Sequence, residues 1–306
     1  MTPFTTLIRR EWMQHRLGWL LLMGAPSLLL LLLTLADGGL TIQIDDGAMR
    51  LPKMQQAPAL LQTALLSTVV AGLTFGVALL AMAIQLPGLA RRDQQDGSAE
   101  FWTSLPIGHA QGVSALLLTQ ILLLPWLALV AGLAGGLLVS GATVIATHGL
   151  LAWLQQPWGL LGAAALALLA RVSLGLLLAA AWLSPLLLLP MAASAWLKRW
   201  GVPVVVVAVL VGTLLIDRRL SAPVVQPALQ RLGSEALQAL LRLGPLNPGG
   251  ALQDLDWPSF LAGLPAQLLD EATGLVGRAA TPAFVLALAG GALGFALLVL
   301  RRRRGN

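Results

Sequence analysis

Six apolar runs divide the chain: Gly18–Ala36, Ala59–Ala90, Gly112–Val139, Val172–Trp196, Gly201–Ile216 and Thr281–Leu300. Almost no charge falls inside them. A helix needs about 20 apolar residues to cross the ~30 Å hydrocarbon layer, and only the fifth run is clearly short of that. Inside lipid every backbone N–H and C=O must find its partner within the segment, so such runs are read as helices. Composition agrees. Hydrophobic residues make up 57% of the 306, charged residues only 10%, and mean hydropathy is +0.82. Soluble domains sit nearer 45–50% apolar and about 25% charged. A water-soluble enzyme of ordinary composition is excluded, and so is a disordered chain, which would be poor in apolar residues. The expected fold is an all-α integral membrane protein with six transmembrane helices, a single domain over residues 1–306.

The segments between the runs carry the rest of the layout. Residues 1–17 are polar, with Arg9, Arg10, Glu11 and Arg16, while Phe4, Leu7, Ile8 and Trp12 recur at helical spacing. Thr2-Pro3 is a cap and first-turn pair. This reads as an amphipathic helix in the membrane interface. The run 18–36 is longer than the apolar core of a signal peptide and is taken as the first span. Residues 140–171 are ambiguous, apolar but broken by Gln155, Gln156 and Pro157. Pro185 and Pro190 kink the fourth span. Between the fifth and sixth spans, 217–280 is a long polar segment. In it, Leu229, Leu232, Leu237, Leu240 and Leu241 share one helical side. Further on, Phe260, Leu261, Leu264, Leu268, Leu269, Leu275 and Val276 oppose Gln267, Asp270 and Glu271. These are expected as amphipathic helices on the outer membrane face, either a cap or plain interfacial packing.

Charge gives the orientation. With six spans both termini share a side. Placing them inside puts Arg9, Arg10, Arg16, Arg91, Arg92, Lys198, Arg199 and Arg301 to Arg304 on inner segments, 11 in all, against 7 on outer segments. Five of those seven lie in the long last loop, where charge counts for little. Both termini are therefore expected in the cytoplasm, with 301–306 as a cytoplasmic tail.

Several chemistries lack the residues they need. There is no cysteine, and His15, His109 and His148 are far apart, so no metal site is expected. A P-loop must end in Gly-Lys-Ser/Thr, but Lys53 follows Pro52 and Lys198 follows Leu197, so no ATP site is expected on this chain. No HExxH or GxSxG occurs, Asp45-Asp46 reads as a solvated turn, and no catalytic residue is assigned. No basic face with interleaved aromatics points to nucleic acid. Arg171 is the one charge near a span, expected to snorkel at the outer interface. Gly72 and Gly76, Gly132 and Gly136, and Gly290 and Gly294 each form GxxxG, a motif that serves either a dimer seam or packing within one bundle.

The inner loop 91–111 is the most informative stretch. Ser98 is a suitable N-cap and Glu100 suits the first turn of a short helix. Phe101, Trp102 and Leu105 form its apolar side, and Pro106 ends it. Such a helix either docks on a partner, since aromatics dominate interface hot spots, or anchors Trp102 in headgroups. In order, Asp96, Ser98, Phe101, Trp102, Ser104, Leu105 and Pro106 match an inner-loop stretch close to D-R-S-I-L-F-W-K-S-L-P. In this the chain resembles the membrane subunits of ABC-2 type ABC transporters. Trp182-Leu-Ser-Pro185 and Ser194-Ala195-Trp196-Leu-Lys198-Arg199 also look like that family's pattern. Glu100 departs from it where an apolar residue is usual, His109 replaces a common Asp, and a usual Lys is missing from 115–118. The resemblance implies a permease subunit in a bacterial inner membrane, usually exporting. It would pair as a homodimer or heterodimer and bind no cofactor. Separate ATPase subunits would carry ATP–Mg, and the inner-loop helix would be the coupling helix docked on them. Two readings compete: a membrane scaffold that recruits a cytoplasmic partner without transport, and a stand-alone channel or secondary transporter.

Overall fold

The computed structural model describes residues 3–37, 57–89, 108–216, 223, 225–242 and 256–304. Nearly all of them are helical. Helix α1 (Pro3–Asp37) opens the chain as two helices merged across a kink at His15, whose φ of −129° and ψ of 17° leave helical geometry. The expected boundary between interfacial helix and first span thus falls at a real break, two residues before Leu17. Helix α2 (Ala59–Leu89) follows, with Pro87 in its last turn. Helix α3 (His109–His148) widens into π geometry over Leu118–Leu123. It stops at Gly149, whose φ of 87° is a left-handed conformation that glycine adopts without steric cost.

After the short α4 (Leu150–Leu154) comes α5 (Trp158–Leu197), 40 residues long. It begins well before the expected start at Val172, because Gln155, Gln156 and Pro157 supply the turn and everything after them propagates as helix. At 1.5 Å per residue it is about 60 Å long, roughly twice the hydrocarbon thickness. Lys198 then takes a positive φ of 54°. A 3₁₀ turn over Lys198–Trp200 leads into α6 (Gly201–Val211), which ends in a π-helical turn, Gly212–Ile216. A Cβ on Gly201 would collide with the backbone of Ser194. The chain therefore reverses at Lys198, and α6 packs back on α5. Helices α7 (Val225–Leu241), α8 (Trp257–Ala279) and α9 (Pro282–Arg304) complete the chain.

Five helical stretches are long and apolar enough to cross a membrane: Phe4–Thr34, Ala59–Leu89, His109–His148, Trp158–Leu215 and Pro282–Arg304. The fourth includes the reversal at Lys198. Many large apolar side chains face outward, Leu21, Leu80, Ile84, Leu138 and Leu286 among them, as helices in lipid require. The architecture is that of an all-helical, multi-pass membrane protein.

Packing divides into two pairs. Helix α2 packs most extensively on α3, and α5 on α9. One apolar cluster joins the pairs through Ala71 and Phe75 of α2, Leu129 of α3, Leu168 and Val172 of α5, and Leu264 and Leu268 of α8. A second lies nearer the arginine-rich end, with Met82, Leu86, Ile121, Leu188, Met191 and Leu298. The two amphipathic helices of the 217–280 segment form where the apolar spacing places them. Their inward faces cover α5. In α8 the buried residues are Leu261, Leu264, Leu268 and Leu275. In α7 Leu237 and Leu241 are 56% and 68% exposed, Leu229, Leu232 and Leu240 are half-buried, and Ala236 and Ala239 are buried against α5. The approach is closest at Ala239, whose carbonyl oxygen a Cβ on Gly175 of α5 would strike.

Candidate functional site

The face of α5 that meets α7 is built around Arg171. Burial leaves Arg171 2% exposed, so it does not snorkel to solvent. Its guanidinium donates to the carbonyl of Ala239 at 2.8 Å and to that of Arg242 at 2.7 Å. Both lie at the C-terminal end of α7, where the last carbonyls lack intrahelical partners and carry the negative end of the helix dipole. Its Nε stands 3.7 Å from a carboxylate oxygen of Glu271 on α8. One turn along α5, Gly175 leaves the space: a Cβ there would run into the Ala239 carbonyl oxygen. One arginine thus ties three helices together. The sequence placed Glu271 on the polar side of its helix without naming a partner for it.

A second polar group joins the start of α2 to the end of α3. Gln62 is fully buried and donates from Nε2 to the Ala57 carbonyl at 3.1 Å. Thr147 Oγ1 lies 3.2 Å from Gln62 Oε1, and His148 Nε2 lies 3.1 Å from Gln62 Nε2 and 3.0 Å from the Ala57 carbonyl. Within the π-helical turn of α3, Gln120 is 1% exposed and neither end of its amide has a hydrogen-bond partner among the described residues. Sequence reasoning weighed only ionisable groups in the spans and missed both glutamines. The available signal was an amide inside an apolar run.

The arginine-rich end holds the third group. The terminal arginines of α9 are used inside the protein as well as at its surface. Arg301 donates from Nε to the Ala195 carbonyl at 3.1 Å. Arg301 and Arg304 each hold their guanidinium carbon 5.8 Å from the ring centre of Trp196, which donates to the Leu297 carbonyl. Arg302 lies over Gly112, where a Cβ would approach its guanidinium to 2.6 Å. Arg302 lines a small cavity with Leu7, Arg10, Glu11, Leu89 and Gly112. Arg10 pairs with Glu11 at 4.0 Å. Of the residues assigned to the interfacial helix, Glu11 is buried, Arg10 and Trp12 are half-buried and Arg9 is exposed. Trp12 packs against the cluster of Trp19, Met23 and Ala78. This helix is seated on the bundle through one face.

The six seam glycines separate into two kinds. A Cβ on Gly132 would stand 2.7 Å from Ala71 Cα, and one on Gly136 would stand 2.6 Å from Ser67 Cα, both on α2. Between them, Gly135 meets Ser27 of α1. Gly290 and Gly294 face Pro185 and Leu188 of α5. Four of the six therefore serve packing within the chain. Gly72 and Gly76 have nothing within 4 Å of a built Cβ and lie on an exposed face of α2. The inner-loop residues Asp96, Ser98, Glu100, Phe101, Trp102, Ser104 and Leu105 lie outside the described residues. Among the described residues, no three His, Asp or Glu side chains are grouped as a metal would need. No family model, no curated protein and no solved structure matches the chain.

Proposed function

We propose that the chain is the membrane-spanning permease subunit of an ABC-2 type exporter in a bacterial inner membrane. The observation that carries this reading is the sequence from Asp96 to Pro106, in which adjacent Phe101 and Trp102 stand between Ser98 and Pro106 as in the family's inner-loop stretch. The helix order supports it: a short helix broken from the first span, then a helical hairpin turned at Lys198, then two amphipathic helices before the last span. With both arms of the hairpin counted as spans, this reading has six, so both termini share a side, and the excess of Arg and Lys on short segments and chain ends makes that side the cytoplasm. The chain supplies the path and pairs with a second permease subunit, while ATP–Mg binds separate ATPase subunits.

Coupling then runs through the inner loop. Phe101 and Trp102 anchor it in a cleft of the ATPase, and Asp96 and Glu100 face basic groups around that cleft. A buried aromatic anchor is worth about 2 kcal/mol or more, roughly thirtyfold in affinity. A side chain lying only in headgroups adds nothing that the spans do not already provide. Phe101→Ala with Trp102→Ala should leave the permease inserted but release the ATPase and abolish ATP-driven transport. Co-purification of this double variant with its ATPase at wild-type stoichiometry would reject the coupling role. A partner without ATPase activity would favour the scaffold.

A further inference from the structure

At the arginine-rich end of the bundle, α1 and α2 do not close on one another. Below the break at His15 a groove of about 370 Å³ opens between them, lined by His15, Gly18, Trp19, Leu22, Gln85 and Gly88. That is within the range of small-molecule sites, about 300–1,000 Å³. Two of its residues are glycines whose built Cβ atoms would meet nothing within 4 Å, so the groove is bare on both helices. Its lining is of two kinds. Trp19 and Leu22 are apolar. Gln85 is exposed, one helical turn from the end of α2, and it has no hydrogen-bond partner among the described residues. His15 is likewise exposed, and the next residue, Arg16, adds a fixed positive charge. An exposed amide offers two donors and an acceptor oxygen to a polar group brought against it.

We infer that this groove binds one glycerophospholipid with an anionic headgroup. Its phosphate and glycerol esters lie against His15 and Gln85, with the charge of Arg16 next in the chain, and one acyl chain runs along Leu22 and Leu89. The groove sits where spans meet headgroups, at the end of the bundle that carries the arginines, and basic pockets between spans take lipid headgroups. Neither the proposed transport activity nor the sidedness of the chain enters the argument.

The test uses the purified full chain in detergent, with phosphatidylglycerol, phosphatidylcholine or oleic acid added. Bound lipid is read by native mass spectrometry. One phosphatidylglycerol should be retained per chain, about tenfold more tightly than the other two. Gly18→Leu with Gly88→Leu fills the groove and should lower that retention about tenfold. Gln85→Glu leaves the groove empty but sets a carboxylate at its polar end, and should lower retention of phosphatidylglycerol alone. Gly159→Leu, at a glycine equally open but on α5, should change nothing. Equal retention by all variants would mean annular lipid only and would overturn the site. Unchanged lipid with a smaller oligomer in the filled variant would mean that a second copy occupies the groove. Oleic acid held as tightly as phosphatidylglycerol would remove the headgroup from the proposal.

Discussion

Arg171 is the residue whose surroundings differ most from what its place in the sequence suggests. Read along the chain, it is a positive charge at the edge of an apolar run. In the fold it is about 39 Å along α5 from Leu197, sealed by two further helices, with both terminal nitrogens bonded to carbonyls of α7 and its end and Nε 3.7 Å from Glu271. Arginine fits this role better than lysine, because its planar fork reaches two carbonyls and a carboxylate at once. Arg171→Leu would remove the positive charge beside Glu271 and strand the carbonyls of Ala239 and Arg242. Removing one side of a buried charge pair typically costs about 3–5 kcal/mol, and the partial exposure of Glu271, 21%, places this case at the lower end. Glu271→Gln should cost less, about 1 kcal/mol, since the guanidinium keeps both carbonyls. Thermal unfolding in detergent measures both. Equal melting temperatures for Arg171→Leu and the unchanged chain would show that the tie contributes nothing to stability.

At the scale of elements, the three GxxxG motifs look alike in sequence and act differently in the fold. In lipid, helices associate through close packing and not through the hydrophobic effect, so a glycine matters where a neighbouring backbone approaches it. Gly132 and Gly136 bring α3 against the backbone of α2. A methyl group at Gly136 meets backbone atoms, which cannot swing aside as a side chain end can. Gly136→Ala should therefore cost about 1–3 kcal/mol through overpacking. Gly72→Ala meets open space and should gain up to about 1 kcal/mol from helix propensity alone. Melting temperatures of the two variants should move in opposite directions. Size-exclusion of Gly72→Leu with Gly76→Leu then addresses assembly. A shift to smaller size would identify this exposed face as the dimer seam, and an unchanged size would leave the seam elsewhere.

At the scale of the whole molecule, orientation is the property with most bearing on function. The absence of native cysteine makes single cysteines clean reporters. Asp46→Cys should react with a membrane-impermeant thiol reagent in intact cells, and Gly97→Cys should react only after the membrane is opened. The reverse pattern would place both termini outside. The prediction rests on the excess of arginine and lysine on one set of short segments and chain ends.

What the sequence determined by itself was whatever depends on composition over a window: helical class, the apolar runs, and the two amphipathic helices near 227–243 and 258–277. Those properties are local, because a run without water must hydrogen-bond within itself and an amphipathic repeat must bury one side. The ends of α3 and α5 were less legible. Helix propagates through apolar residues and even through Pro185 and Pro190, so the composition of a run does not mark its ends; Gly149 closes α3, Pro157 precedes α5, and α5 ends at the positive φ of Lys198. The tertiary structure alone decided which groups meet. Nothing along the chain joins Arg171 to Ala239, Arg242 and Glu271, or Gln62 to His148. Nothing distinguishes a glycine that faces a backbone from one that faces lipid. These are contacts between residues as many as 100 positions apart, chosen by which helix faces pack together, and a pattern read along one helix does not contain its neighbour.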